Sequence, residues 1–317
     1  MRCLVTGAAG FIGSHLAERL LDGGHQVTGL DCFTAYYYRA LKEKNLAGAK
    51  SKKGFAFVEA DLLDAGLARV LDGIDVVYHL AGQPGVKSFG PQFSDYIDNN
   101  LKATHRLLEA ARDSRGIRIF VYASSASVYG DVPVPMREDG PTRPTSPYGI
   151  TKLAAEQLCL QYAAQNMVPA MALRFFNVFG PRQRPDMAFT RLAVAALTGA
   201  EFPLYGTGGQ ERDFTGVGDI VDALVRAGEI GRPGLVLNVG GGHRVSLTAA
   251  IDALERISGI AVRIRREPPQ VGAMERMEAD TERLRKEFGF APRVSLEEGL
   301  RLQLEWAREN LPLLSKT

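Results

Sequence analysis

The sequence predicts an α/β fold: a doubly wound parallel sheet with a smaller, mixed α/β C-terminal domain. Three observations point there. Short apolar runs alternate with helical patterns from the first residues onward. Those runs are apolar on both faces, as strands covered by helices on either side must be. The alternation then breaks after MALRF (171–175), where a Pro-, Arg- and Gly-rich stretch begins.

RCLVT (2–6) reads as the first strand, and FIGSHLAERLLDGG (11–24) as a helix closed by paired glycines. QVTGL (26–30), FAFV (55–58), IDVVYHL (74–80) and IRIFVYAS (117–124) are further strands, rich in β-branched and aromatic residues. Helical patterns at 94–114 and 147–165 fill the gaps between strands. Beyond the break, VGDIVDALVRAGEI (217–230) and LVLNVG (235–240) return one more helix and strand to the sheet. SLTAAIDALERISG (246–259) and SLEEGLRLQLEWAREN (295–310) are amphipathic helices, the second opening with Ser295 and Glu298 at capping-box spacing. The plan is therefore interleaved: 1–173 with 214–240 as one domain, 174–213 with 241–317 as the other.

At 317 residues the chain exceeds a typical single core. A net charge of +2 without a long basic run implies no nucleic-acid partner. Cys3, Cys32 and Cys159 are scattered, which fits a reducing cytoplasm better than a disulfide framework. The five histidines lack metal-ligand spacing, so no metal is expected. No signal-peptide pattern is visible and no apolar stretch approaches the ~20 residues that span a bilayer, so no membrane partner is expected.

TGAAGFIG (6–13) joins the first strand to the first helix. Gly7, Gly10 and Gly13 suit a tight turn, close backbone approach to a pyrophosphate and helix–sheet packing, with Phe11 and Ile12 between them. The helix N-terminus offers N–H groups and a positive dipole end to phosphates. Asp31 ends the second strand at the distance where a carboxylate accepts ribose hydroxyls, and it repels a 2′-phosphate. A Rossmann-type site for NAD rather than NADP follows. Asp61, beside Leu62 in EADLLD, either reaches the adenine or caps a helix. Leu80, Ala81 and Gly82 in HLAGQPG either lie along the cofactor or form an ordinary loop.

In SPYGITK (146–152), Tyr148 and Lys152 stand one helical turn apart on one face. The pair is either a surface Tyr on a Lys stem or a phenol whose proton has been loosened. Beside an NAD site the second reading gains a purpose, because Lys152 and a positive nicotinamide would both favour the phenolate. ASSASVYG (123–130) supplies hydroxyls at a strand's carboxyl end, and Ser125 is placed to share a substrate hydroxyl with Tyr148.

Together TGAAGFIG, HLAGQPGV, SSASVYG, YGITK, RFFNVFGPR, RDF and GFAPRVSLEEGL resemble the extended short-chain dehydrogenase/reductase family, specifically its NAD-dependent nucleotide-sugar epimerases and dehydratases. The resemblance implies Ser125, Tyr148 and Lys152 as catalytic residues, Asn100 and Phe175 beside the cofactor, and a homodimer paired through helices 94–114 and 147–165. Toward a UDP-sugar it implies Lys87, Ser127, Asn177, Arg184, Arg212 and Arg276. Dehydratases of the family carry adjacent acids where Ala126 and Ser127 stand, so redox at C4 without elimination is implied. DCFTAYYYRALKEKNL (31–46) and GPRQRPDMAF (180–189) are similar to UDP-glucuronate 4-epimerases, with Arg182 and Arg184 surplus to a neutral sugar. Ser127, Asn177 and Arg184 are the candidates to pin a sugar carboxylate. Asn177 replaces the usual Thr, and Ala273 replaces an Asp that would hold the nucleotide ribose. A UDP-glucose or UDP-N-acetylglucosamine 4-epimerase, a UDP-glucuronate decarboxylase and a catalytically silent NAD sensor remain as alternatives.

Overall fold

The computed structural model describes residues 1–85, 93–269 and 274–315. Its strands are β1 (Arg2–Thr6), β2 (Gln26–Asp31), β3 (Phe55–Glu59), β4 (Val76–His79), β5 (Ile119–Ser125) and β6 (Ala170–Phe175). Four short ones follow, β7 (Val178–Phe179), β8 (Phe202–Tyr205), β9 (Glu211–Arg212) and β10 (Thr215–Gly216), then β11 (Val236–Val239), β12 (Val245–Ser246) and β13 (Ile264–Glu267). The helices are α1 (Phe11–Asp22), α2 (Arg39–Lys50), α3 (Leu67–Val70), α4 (Phe93–Tyr96), α5 (Ala103–Asp113) and α6 (Pro147–Ala164). After them come α7 (Ala188–Thr198), α8 (Val217–Ile230), α9 (Leu247–Ser258), α10 (Glu282–Phe288) and α11 (Leu296–Leu314).

Seven strands pair in parallel in the order β11-β6-β5-β4-β1-β2-β3. The winding reverses between β1 and β4, so the loops leaving them diverge and open a crevice at the strands' carboxyl ends. Both faces are covered, which explains the run of buried residues along β5. Leu16 and Leu20 of α1, Ile220 and Leu224 of α8 pack on one face. Leu107 and Leu108 of α5, Ala155 and Cys159 of α6 pack on the other.

A second core joins Phe189 and Leu192 of α7, Ile251 and Leu254 of α9, Leu300 and Leu304 of α11 and Leu204 of β8. The boundary drawn from the sequence needs one correction. Residues 282–290 belong by chain position to the smaller part, yet Leu284, Phe288 and Phe290 are buried in the core of the large sheet. Their apolar faces find α8 and β11 there. α11 also runs past its expected end at 310, through Pro312 to Leu314, because Leu314 is buried against the second core.

The two parts are tied where the chain crosses. Asp219, in the first turn of α8, accepts from Arg293 N and Val294 N at 2.9 Å each. Met136 bridges Ala279, with Met136 N donating to Glu278 O at 2.7 Å. Among the described residues no helix is long and apolar enough to cross a membrane.

Candidate active site

Gly7 sits at φ +69°, a conformation open to glycine, and a Cβ there would lie 2.9 Å from Ala81 N. A methyl on Gly13 would collide with the Gly7 carbonyl, so α1 starts hard against the turn. The first turn of α1 carries no acidic residue and no side-chain cap. Its N–H groups and dipole end therefore face the crevice without a built-in anion. Asp31 braces the turn: its Oδ2 accepts from Ala9 N at 3.0 Å and its Oδ1 from Phe33 N at 2.8 Å. Asp61 serves a local role, accepting from Leu63 N at 2.8 Å, and lines the same crevice. Gly7, Gly10, Phe11, Ile12, Gly13, Asp31, Asp61 and Leu62 line one side of it. Leu80, Ala81, Gly82, Asn100, Tyr148, Lys152 and Phe175 line the rest. A phosphate-accepting turn at one end and a carboxylate beyond it fit an elongated dinucleotide.

Helix α6 begins with Pro147 after Ser146, whose Oγ accepts from Gly149 N at 3.1 Å. This start points Tyr148 and Lys152 into the crevice. Ser125 closes β5; its Oγ accepts from Ser127 N at 3.2 Å, and its hydroxyl acts on the Tyr148 phenol. Burial raises the Tyr148 pKa, while Ser125 and then Arg184 pull it down and Tyr96 opposes them. Lys152, expected to favour the phenolate, lies against β5. Its ammonium donates to Ala123 O and stands 4.2 Å from the Tyr122 ring centroid. Burial brings Lys152 itself down to about 7.

A directed hydrogen-bond chain supports these groups from behind. Thr104 Oγ1 donates to Asn100 O at 2.6 Å, so it must accept from His79 Nε2 at 2.9 Å. His79 Nδ1 then accepts from Thr6 Oγ1 at 2.8 Å, which accepts from Ala81 N at 3.1 Å. The Asn100 side chain accepts from Gln83 N at 2.7 Å and donates to Thr151 Oγ1 at 3.1 Å. Thr151 in turn donates to Tyr148 O at 3.0 Å. The sequence reads 94–114 as one helix, but residues Ile97–Lys102 form a π turn that presents Asn100 to this chain.

Residues 3–240 match the NAD dependent epimerase/dehydratase family. The chain belongs to that family. Similar proteins include "Uncharacterized UDP-glucose epimerase YtcB" of Bacillus subtilis (strain 168), 42% identical over 95% of this chain and 96% of that one. A "Probable UDP-glucuronate 4-epimerase" of Rhizobium meliloti (strain 1021) is 36% identical over 98% of each chain. The crystal structure of UDP-glucuronic acid 4-epimerase from Bacillus cereus with UDP-glucuronic acid and NAD superimposes with a TM-score of 0.94. It is 38% identical, over 98% of this chain and 99% of that one.

In this epimerase/dehydratase chain the positions expected to face a sugar nucleotide are spread over several loops. Arg184 lines the crevice, its Nε and Nη2 donating to Asp186 at 3.0 Å and its guanidinium 5.5 Å from the Tyr36 ring centroid. Ser127 follows Ser125 in a short 3-10 turn without lining the crevice itself. Asn177 Nδ2 donates to Asp213 O at 3.3 Å and lies 3.2 Å from Met277 Sδ. Arg212 donates to the carbonyls of Met274, Glu211 and Glu275, and burial lowers its pKa. A buried cation held by neutral acceptors suits an incoming anion. Arg276 is exposed and stands 3.6 Å from Glu211. Lys87 and Ala273 lie outside the described residues.

Arg182 has a partner outside its own loop: Nη2 donates to both carboxylate oxygens of Glu18 at 2.9 and 3.0 Å, fastening the loop to α1, while its Nη1 is buried without a hydrogen-bond partner among the described residues. Tyr36, Lys42 and Gln83 are among the crevice residues that escaped the sequence reading. Lys42 had a signal. It falls with Leu41, Asn45, Leu46 and Ala49 on the buried face of α2, where a lysine needs a partner, and its Nζ donates to Thr34 O at 2.7 Å.

Proposed function

We propose that the protein is an NAD-dependent UDP-sugar 4-epimerase acting on UDP-glucuronate to give UDP-galacturonate. The observation that carries this is the convergence of the Tyr148 phenol and the Arg184 guanidinium on one crevice, with Ser125 acting on that phenol and no acid at Ala126 or Ser127. NAD supplies reversible hydride exchange at the sugar's C4. Gly7, Gly10 and Gly13 with the α1 N-terminus accommodate its pyrophosphate, Asp31 its adenosine ribose, and Lys152 with Tyr148 its nicotinamide end.

Tyr148 takes the C4 hydroxyl proton, with Ser125 orienting that hydroxyl, and returns a proton after the flat 4-keto sugar turns over. A 4-keto uronate is a β-keto acid that loses carbon dioxide when its carboxylate stands perpendicular to the ketone. Arg184, assisted by Ser127 and Asn177, holds that carboxylate toward the plane. Arg212, Arg276 and Lys87 serve the diphosphate and nucleotide. The smaller part, 174–213 with 241–317 apart from α10, carries the sugar nucleotide, and the rest carries NAD. Ile150 is exposed on α6, which supports a homodimer through α5 and α6, and three unpaired cysteines support a cytoplasmic setting.

A second reading, UDP-glucose 4-epimerase, is favoured by Asn177 and by the name of the Bacillus subtilis relative. Incubation with UDP-glucuronate and with UDP-glucose, followed by NMR of the products, separates them. UDP-galacturonate is the expected product. UDP-galactose alone establishes the second reading, and a UDP-pentose as main product establishes a decarboxylase instead.

A further inference from the structure

Directly behind the crevice lies a polar cluster that the mechanism above leaves unused. Glu156 is fully buried. Its Oε1 accepts from Arg174 Nη2 at 2.7 Å, and its Oε2 accepts from Arg174 Nε at 3.0 Å and Ser124 Oγ at 2.6 Å. Arg174, its side chain only 4% exposed, also donates to the Tyr129 hydroxyl at 2.8 Å. A buried ion pair of this kind gains little net stability over apolar residues of the same volume. Its location therefore asks for a local reason.

Each partner stands next to a group of the site. Ser124 precedes Ser125 on β5. Arg174 precedes Phe175, a crevice residue at the end of β6. Glu156 lies one helical turn beyond Lys152 and two beyond Tyr148, on the same face of α6. We propose that Glu156 is a positioning residue for the Ser125–Tyr148–Lys152 relay. It clamps the three elements that carry the relay and holds a negative charge one turn behind Lys152. This rests on the assignment of Tyr148 and Lys152 made above.

The surroundings of Lys152 make that charge matter. On its own helix it faces Tyr148, Glu156 and Cys159; from β5 it meets Tyr122, and from β4 His79, which burial keeps neutral. Arg174 on β6 is already paired with Glu156. Burial pulls Lys152 to about 7, while Cys159 and Glu156 act against burial. Near neutral pH the loss of the Glu156 charge releases the Lys152 proton at lower pH.

The test is Glu156→Gln, which keeps volume and an acceptor toward Ser124, assayed with NAD and whichever UDP-sugar the parent enzyme turns over. Expected is a kcat lower by about 10- to 100-fold at pH 7.5 with KM within about threefold. The alkaline limb of the kcat profile moves down by roughly one pH unit. Because an unpaired Arg174 threatens folding, the double variant Glu156→Gln/Arg174→Met removes both charges. Its Tm is expected to recover while kcat and the alkaline limb stay displaced. Recovery of all three to parent values, or a folded Glu156→Gln variant with parent kcat and profile, overturns the proposal. Should neither variant fold, Ser124→Ala, which keeps the ion pair, decides. A kcat loss of about fivefold or more at unchanged Tm supports the clamp, and an unchanged kcat overturns it. Tyr148→Phe is run beside these. If it keeps full turnover, the relay assignment itself fails; if it is inactive while the Glu156 and Ser124 variants behave as the parent, only the clamp fails.

Discussion

Arg184 is held by Asp186 along one edge and faces the crevice with the rest of its guanidinium. Removing it takes away a charge-assisted contact of about 1.5–3 kcal/mol, so Arg184→Ala should raise KM for UDP-glucuronate by roughly 10- to 100-fold. It should also divert part of the product to a UDP-pentose, read by NMR of the same reaction. Gly13→Ala is a second test, because its methyl meets the Gly7 carbonyl. The purified variant should carry no bound dinucleotide, seen as a lower ratio of absorbance at 260 to 280 nm. At this scale the glycine turn and the Tyr148/Lys152 pair were legible because their meaning is local, a few residues along one chain segment. Arg182 was not, since its partner Glu18 lies 164 residues away. Nothing near Arg182 in sequence distinguishes a loop fastener from an anion binder.

Helix α6 depends on its start. Ser146→Ala removes the acceptor for Gly149 N and should lower unfolding free energy by about 1 kcal/mol in urea titrations. The kcat should fall more than that loss of folded protein accounts for, because the cap also sets the angle at which Tyr148 enters the crevice. Strands and long helices were legible as elements because apolar residues on both strand faces and one helix face leave a periodic trace. The π turn at Ile97–Lys102 left none. It accompanies the bonds from Asn100 to Gln83 and Thr151, which are tertiary and invisible to periodicity.

Across the whole molecule, burial holds His79 at about 3 and His15 at about 4, against an unfolded value near 6.5. The folded protein therefore resists protons that the unfolded chain takes up. Stability from these two groups is complete above about pH 6.5 and declines as pH falls toward their folded values. Each should remove roughly 1 kcal/mol between pH 6.5 and 5.5. Chemical denaturation across that range should show the slope, and His79→Gln should flatten it by about one proton. The interleaved plan was legible from the change of character after 175 and the returning helix and strand. Helix α10 was not, because its buried face pairs with α8 and β11 rather than with its sequence neighbours.

The outermost strand of the sheet is also the last to be made. β6 ends at Phe175, yet its neighbour β11 begins at Val236, after most of the second core's first segment. During translation the nascent chain therefore carries an open strand edge, apolar apart from Arg174, while the ribosome adds the intervening residues. Chains released early, anywhere between those two points, present that edge to each other and should collect in inclusion bodies or on chaperones.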